Sequence, residues 1–313
     1  MLENKEMRAV YCETMIELAG KNKKIVMLEA DLMSSTGTKE FKKVYPKRLI
    51  NVGIAEQNMI GVAAGLAACG KLPFVHSFTP FATRRCYDQI AISVAYAKQN
   101  VKIVGTDPGI MATNNGGTHM SLEDVGIMRA MPTMSVFEPV DSVMLRKLLP
   151  EVVKYDKPMY IRLFRKKTES VFDENTKFSL TKAIDLKKGK DVTIIASGIM
   201  VARAIEASYI LEGRGYSVGV LSVHMIKPID EEAIVKAAKR SGAIVTAENH
   251  NVIGGLGSAV AEVISENAPV PMKRVGVKDR FGEVGNEKYL SEIMGLTVDD
   301  IVNAAEEVIA KKK

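Results

Sequence analysis

Short β-branched runs alternate with helical segments through the first half of the chain, and this alternation restricts the possible fold more than any other feature. The pattern predicts strands at 24–30, 48–52, 72–77, 101–106, 134–138 and 159–163, and helices at 2–20, 55–69, 80–98, 121–130 and 141–154. Because this alternation places helices on both faces of a parallel sheet, the first half is predicted to be an α/β domain.

A polar stretch at 171–190 interrupts the pattern, and a second α/β pattern follows it. For a chain of 313 residues two domains of ordinary size are the natural expectation. We therefore predict two parallel-sheet, three-layer domains, at 1–170 and 191–313, joined by a linker at 171–190.

Composition excludes several classes of function. Hydrophobic residues make up 47% and aromatic residues 6% of the chain, and no basic run is interleaved with aromatic residues, so no nucleic-acid partner is expected. No apolar run approaches the length of a bilayer span, so no membrane association is expected. Cys12, Cys69 and Cys86 have neither disulfide-framework nor zinc-site spacing, which fits a cytoplasmic protein.

The helix predicted at 55–69 begins with a carboxylate, Glu56, although the rest of the helix has the composition of a protein interior. Small residues share one of its faces at spacings of three, four and seven: Gly61, Ala64, Gly65 and Ala68. Such a face permits close packing against another helix, including one from a second subunit. Glu56 is then either a carboxylate that complements the helix dipole or a buried acid that desolvation keeps protonated.

Two further stretches carry candidate site residues. In "SFTPFATRRCYDQ", the Thr-Pro pair predicts a helix start that places Phe78 and Phe81 together, either in the core or as a slot for a flat heteroaromatic ring. In "TDPGIMATNNGGTHM", a Gly-rich loop follows a strand and carries His119. Asp31 follows another strand, and ligands of open α/β sheets collect at such strand ends.

Taken together, these stretches resemble the transketolase family of thiamine-diphosphate enzymes along essentially the whole chain. "NVGIAEQNMIGVAAGLAACGKLPF" resembles the segment with the family's catalytic glutamate, which contacts the cofactor aminopyrimidine, and this implies that role for Glu56. "SFTPFATRRCYDQ" resembles the aromatic cofactor pocket, with Phe78 and Phe81 as two walls and Arg84 at the third position. Asp31 matches an aspartate near the thiazolium.

The resemblance also implies roles at the substrate. His119 matches the catalytic histidine that faces the sugar, in "NNGGTHMSLEDVGIMRAMP". Asn115 replaces an acidic residue expected at a substrate hydroxyl. Asp107, also assigned to the substrate hydroxyls, stands where transketolases commonly have another histidine. The family's substrate-phosphate positions correspond to the following residues: Arg8, Ser35 and Arg165.

The family's diphosphate-binding domain, with its Gly-Asp-Gly…Asn motif, has no counterpart in this sequence. The resemblance therefore implies the C-terminal subunit of a split transketolase, which transfers a two-carbon ketol unit between sugar phosphates. A separate N-terminal subunit would hold the diphosphate through Mg²⁺ or Ca²⁺, in an α2β2 assembly; no metal ligands are assigned to this chain. The alternatives are the β subunit of a 2-oxo acid dehydrogenase, a deoxyxylulose-phosphate-synthase-like enzyme, and a non-catalytic α/β scaffold.

Overall fold

The structure is a computed structural model that describes residues 5–312. Within these residues the strands are β1 (Ile25–Glu29), β2 (Leu49–Asn51), β3 (Leu72–Phe78), β4 (Lys102–Thr106), β5 (Ser135–Phe137), β6 (Met159–Leu163), β7 (Ile184–Lys187), β8 (Val192–Ala196), β9 (Val218–Ser222), β10 (Met225–Lys227), β11 (Ile244–Asn251) and β12 (Met272–Val277).

The α-helices of the described residues are α1 (Met7–Lys21), α2 (Met33–Thr36), α3 (Lys39–Val44), α4 (Glu56–Ala68), α5 (Thr79–Ala82), α6 (Tyr87–Gln89), α7 (Asp124–Ala130), α8 (Ser142–Lys154), α9 (Met200–Gly213), α10 (Glu231–Ser241), α11 (Leu256–Asn267), α12 (Glu287–Met294) and α13 (Val298–Ile309). The first predicted helix was expected from residue 2, and residues 1–4 lie outside the described part of the chain. None of the helices in residues 5–312 is both long and apolar enough to cross a bilayer.

Residues 5–312 form two sheets. The first has the strand order β10-β5-β6-β4-β3-β1-β2, and the second has the order β12-β11-β8-β9-β7. Strands β1, β4 and β6 are buried along their whole length, as expected for parallel strands covered by helices on both faces. The predicted α/β class with two sheets is confirmed.

Each sheet also has an antiparallel edge strand that the sequence pattern did not predict. Strand β10 pairs with β5 in the first sheet, although it comes from the C-terminal part of the chain. Strand β7 pairs with β9 in the second sheet and lies inside the segment predicted to be a linker. Both sheets are therefore mixed, and the two parts of the chain share a sheet. These strands contain three and four residues, which is too short for a clear periodicity.

The prediction of a single helix at 80–98 is wrong. Helix α5 ends at Ala82, where Thr83 leaves the helical conformation with φ −122° and ψ −87°. A 3₁₀ turn (Arg84–Cys86), helix α6 and a π-helix (Ile90–Tyr96) follow. The Thr83 hydroxyl donates to the Thr79 carbonyl at 2.6 Å, so this break has its own hydrogen bond.

A buried ion-pair network joins the two parts of the chain. The Arg162 guanidinium donates to Asp124 Oδ2 at 2.7 Å, to Glu138 Oε1 at 2.6 Å and to the Asn249 carbonyl of β11 at 2.8 Å. Burial by itself would raise the pKa of Asp124, but the charge of Arg162 holds that pKa below its ordinary value. Both carboxylates are therefore charge-compensated inside the protein.

Strand β11 also fixes the loop that follows β4. The Ile110 amide donates to Asn249 Oδ1 at 3.0 Å, and Asn249 Nδ2 donates to the Pro108 carbonyl at 3.2 Å. A Cβ at Gly109 would lie 2.2 Å from Asn249 Oδ1, and the glycine has φ +58°, so a larger residue would disrupt this contact. The C-terminal part of the chain thus positions the loop that carries His119.

Candidate active site

The candidate residues collect at the carboxyl edge of the first sheet. Strands β6, β4, β3, β1 and β2 are neighbours in that order, and they are parallel. Their carboxyl ends lead directly to the following side chains: Arg165, Asp107, Phe78, Asp31 and, through a short loop after β2, Glu56. Ligands of open α/β sheets bind at this edge.

Glu56 is the first residue of α4, and only 2% of it is exposed. Its Oε1 accepts a hydrogen bond from the Ser77 hydroxyl at 2.8 Å, and its Oε2 accepts one from Arg85 Nη1 at 3.0 Å. An adjacent guanidinium stabilises the charged carboxylate. The structure therefore gives an ion pair between Glu56 and Arg85, which neither of the two alternatives from the sequence included.

Three rings lie beside this ion pair. The centroids of Phe78 and Phe81 are 6.3 Å apart, and His119 stands edge-on to both, at 5.8 Å and 5.1 Å. The Arg85 guanidinium lies 3.7 Å from the centroid of Phe81. Phe78, Phe81 and His119, which the sequence analysis selected from two separate stretches, thus form one aromatic cluster.

The sequence pattern pointed to Arg84 and not to its neighbour Arg85. Arg84 instead donates to Glu123 Oε1 at 2.9 Å and to the Thr118 carbonyl at 3.3 Å. The two arginines diverge because successive residues of a 3₁₀ turn point about 120° apart. Arg85 is adjacent to Phe81, and Arg84 holds the loop next to His119. The sequence signal for Arg85 was its place in the same Arg-Arg pair.

The loop that carries His119 packs against the C-terminal part of the chain. A Cβ at Gly117 would lie 2.5 Å from the Gly282 carbonyl oxygen, so the two loops are in close contact. His119 Nδ1 lies 2.9 Å from the Thr118 hydroxyl, which orients the imidazole ring. Asn115 is exposed at the end of the 3₁₀ segment Gly109–Asn115 of this loop.

The three residues expected to bind the substrate phosphate, Arg8, Ser35 and Arg165, lie close together. The Arg8 amide donates to the Arg165 carbonyl at 3.2 Å, and Arg8 Nη1 donates to the Ser35 carbonyl at 2.9 Å. Arg8 Nε also donates to Glu6 Oε2 at 2.8 Å. Arg8 therefore connects the start of α1 with helix α2 and with the loop after β6.

Asp107, expected near a substrate hydroxyl, forms an ion pair with Arg165. Its Oδ2 accepts a hydrogen bond from Arg165 Nε at 2.5 Å and also contacts Arg165 Nη2. The Arg165 guanidinium lies 5.0 Å from the centroid of Phe78. We call Glu6, Arg8, Ser35, Asp107 and Arg165 the anion cluster, which adjoins the aromatic cluster through this contact.

Asp31 lies on the other side of the site and has φ +63°. Its Oδ1 accepts a hydrogen bond from Asn51 Nδ2 at 3.0 Å, while its own amide donates to Asn51 Oδ1 at 3.0 Å. The same Asn51 oxygen accepts from the Gly53 amide at 3.2 Å, just before α4. Asp31 therefore braces the loop that leads to Glu56.

This arrangement has the groups needed to bind a flat, nitrogen-containing ring. Glu56 can accept a hydrogen bond from a ring N–H, and Phe78 and Phe81 offer apolar faces beside it. Arg85 contacts both Glu56 and Phe81, so its guanidinium covers part of the surface that these two groups offer to a ring. Across residues 5–312 there is no group of three or more His, Cys, Asp or Glu side chains placed to hold a metal ion.

Comparisons with known proteins agree with this architecture. The transketolase pyrimidine-binding domain family matches residues 3–170, and the transketolase C-terminal domain family matches residues 181–301. The chain is 56% identical to a 6-deoxy-6-sulfo-D-fructose transketolase subunit of Clostridium sp. (strain MSTE9), over 99% of this chain and 97% of the relative. It is 38% identical to an apulose-4-phosphate transketolase subunit of Phocaeicola vulgatus, over 97% of each chain.

A solved structure, described as a split gene transketolase in an inactive β4 tetramer, is also similar. It superposes with a TM-score of 0.90 at 44% identity and covers 98% of this chain and 99% of its own. These relatives are separate subunits of about the same length, so the dehydrogenase, deoxyxylulose-phosphate-synthase and scaffold alternatives are not favoured. The chain belongs to the transketolase family, in which it corresponds to the C-terminal subunit of a split, heteromeric transferase.

Proposed function

We propose that this chain, with a separate N-terminal subunit, transfers a two-carbon ketol unit from a ketose to an aldose, each carrying an anionic terminal group. The observation that carries the proposal is the buried Glu56 carboxylate at the start of α4, beside the cluster of Phe78, Phe81 and His119. The family implies thiamine diphosphate, and these residues have the chemistry to bind its pyrimidine half.

When bound, thiamine diphosphate supplies the nucleophilic carbon to which the two-carbon unit is attached during transfer. Glu56 would accept a hydrogen bond from the pyrimidine ring, while Phe78 and Phe81 exclude water from its faces. The Glu56–Arg85 ion pair must open for this contact to form.

His119 is proposed to exchange protons with the sugar hydroxyls, since it lies at the edge of both phenylalanine rings and is held by Thr118. Asn115, on the same loop, would contact a hydroxyl as a neutral residue. Asp31 would stay near the thiazolium, and Arg84 would line the site through its bond to the Thr118 carbonyl.

Arg8, Ser35 and Arg165 are proposed to bind the anionic terminal group of the substrate. The two relatives act, by their names, on a sulfonated ketose and on a phosphorylated sugar, and both of these substrates end in a tetrahedral anion. Arginine suits such groups because its planar set of donors can bind two oxygens at once. Sugar phosphates and sugar sulfonates are therefore the substrate classes to test.

A partner subunit is implied for a split transketolase, and we propose that it holds the diphosphate and its Mg²⁺ or Ca²⁺ ion in an α2β2 assembly. Residues Gly61 and Gly65 of α4 are exposed, and a Cβ added to either would meet no atom of this chain within 4 Å. This face therefore has room for close packing of a second copy. Free Cys12, Cys69 and Cys86 support a cytoplasmic location.

The test is to co-express the chain with a companion that carries the Gly-Asp-Gly…Asn motif, and to measure two-carbon transfer with thiamine diphosphate and Mg²⁺. We expect activity from the pair and none from either polypeptide alone. Glu56→Gln should lower kcat at least about 100-fold, since general acid–base catalysis contributes on that order. Glu40→Gln, an exposed carboxylate paired with Lys43, is the matched control and should retain activity. Wild-type turnover in Glu56→Gln would contradict the proposal.

A further inference from the structure

We propose that Asp107, assisted by Glu6, makes the anion cluster selective for a substrate tail with a single negative charge, such as a sulfonate, over a doubly charged phosphate ester. This inference rests on the proposed function in one respect, namely that the anion cluster binds the substrate tail. It adds a specificity-determining role for two carboxylates, which the resemblance to transketolases did not assign.

The positive and negative side chains of the anion cluster balance one another. Its two arginines each have a carboxylate partner: Arg165 is paired with Asp107, and Arg8 with Glu6. The side chains of the cluster therefore sum to no net charge, with two cations and two anions. Within the cluster an incoming anion therefore finds no excess of arginine charge, and each additional negative charge on the ligand meets the repulsion of its two carboxylates.

Arg165 keeps hydrogen-bond donors available for a ligand while it is paired with Asp107. Asp107 contacts Nε and Nη2 of the guanidinium, which has five N–H donors in all. The remaining donors can still bind one or two oxygens of a tetrahedral group. Asp107 is 4% exposed, so little water screens its charge from a ligand on the same guanidinium. Glu6 has a more exposed side chain, at 46%, and should therefore contribute less to selectivity.

A phosphate monoester and a sulfonate differ mainly in their charge. Each presents three oxygen acceptors on a tetrahedral centre, so hydrogen bonding separates them poorly. A phosphate monoester carries about −1.5 to −2 charges at pH 7, with a second pKa near 6, whereas a sulfonate carries one charge throughout this range. Selectivity by charge is therefore available to the protein even though the two groups have similar shapes.

The experiment compares equilibrium binding of D-fructose 6-phosphate and 6-deoxy-6-sulfo-D-fructose to the two-subunit complex, by calorimetry at pH 7.5 without thiamine diphosphate. We expect the wild type to bind the sulfonate more tightly. Asp107→Asn should shift the ratio of the two Kd values toward the phosphate by about tenfold, as expected for one charge at a few ångströms in a partly screened site. Glu6→Gln, at an exposed position, should shift it in the same direction by less.

Asp185→Asn is the matched control, because it removes a carboxylate from an arginine pair, with Arg240, on the second sheet. The ratio of the two Kd values in Asp185→Asn should equal the ratio in the wild type. At pH 5.5, below the second pKa of the phosphate, most of it is singly charged, so the preference of the wild type for the sulfonate should shrink.

The inference is overturned if the wild type prefers the phosphate, if neither ketose binds, or if both carboxylate variants leave the ratio unchanged. The outcome is separable from that of the proposed function. Selective binding without any two-carbon transfer in the complete enzyme would reject the proposed reaction and keep the selectivity, whereas transfer without selectivity would do the reverse.

Discussion

Replacing Arg85 with alanine should have opposite effects on the stability of the chain and on its affinity for thiamine diphosphate. Arg85 donates to the buried Glu56 at 3.0 Å and covers Phe81, so it stabilises the protein without ligand. The same contacts occupy the two groups proposed to receive the pyrimidine ring. Cofactor binding must therefore break them, and Arg85→Ala removes that cost in advance.

The magnitude follows from the exposure of the pair. A hydrogen bond to a charged group contributes about 1.5–3 kcal/mol. Because the Arg85 side chain is 41% exposed, solvent screening reduces this to roughly 1–2 kcal/mol. Arg85→Ala should therefore lower the free energy of unfolding of the isolated chain by that amount. The Kd of the two-subunit complex for thiamine diphosphate should fall by about 5- to 30-fold.

The assay pairs urea unfolding of the isolated chain with calorimetric titration of the complex with thiamine diphosphate and Mg²⁺. Arg214→Ala is the control, because Arg214 is similarly exposed, at 48%, and pairs with Glu306 of α13, away from the candidate site. It should change the cofactor affinity little. An unchanged or weakened affinity in Arg85→Ala would refute the reasoning, since it would mean that Arg85 does not compete with the cofactor.

Two further predictions concern pH and assembly. Burial raises the pKa of Glu29 to about 7, so its neutral form contributes stability that is present below pH 4.5 and is lost as pH rises through 7. Glu29→Gln should therefore flatten the loss of unfolding free energy between pH 5 and pH 8, measured by urea titration at each pH; a wild-type slope would contradict the buried-acid assignment. Gly65→Leu places a bulky side chain on the exposed face of α4, so sedimentation should show a smaller assembly while circular dichroism stays unchanged. If the assembly stays intact, the contact between copies lies on another surface and the prediction is wrong.

The sequence predicted the strands that are buried on both faces, because such strands must be continuous apolar runs. It missed β7 and β10, whose few residues gain their conformation from pairing with β9 and β5. The predicted helix at 80–98 had a suitable pattern throughout, but the local backbone at Thr83 ends it. Strand pairing thus decides the two short edge strands and a local change of backbone conformation divides the helix, and hydrophobic periodicity shows neither.

The candidate site also contains residues that the sequence predicted and residues that it did not. Glu56, Phe78, Phe81 and His119 could be selected in advance because each stands at a strand end or helix start within a distinctive stretch. Their charged partners could not. The pair Glu56–Arg85 spans 29 residues and the pair Asp107–Arg165 spans 58, so both depend on the order of the strands in the sheet. The order of strands is a property of the folded chain that local sequence does not specify.

The placement of β10 in the first sheet limits how this chain can be divided or recombined. A fragment that stops near residue 190 would leave the backbone of β5 as a bare edge, which is a template for intermolecular pairing and precipitation. A chimera that exchanges the C-terminal part with that of a relative would have to keep Met225–Lys227 compatible with its neighbour. Engineers should therefore move the crossover point to loops outside this pairing, or treat the whole polypeptide as one cooperative module.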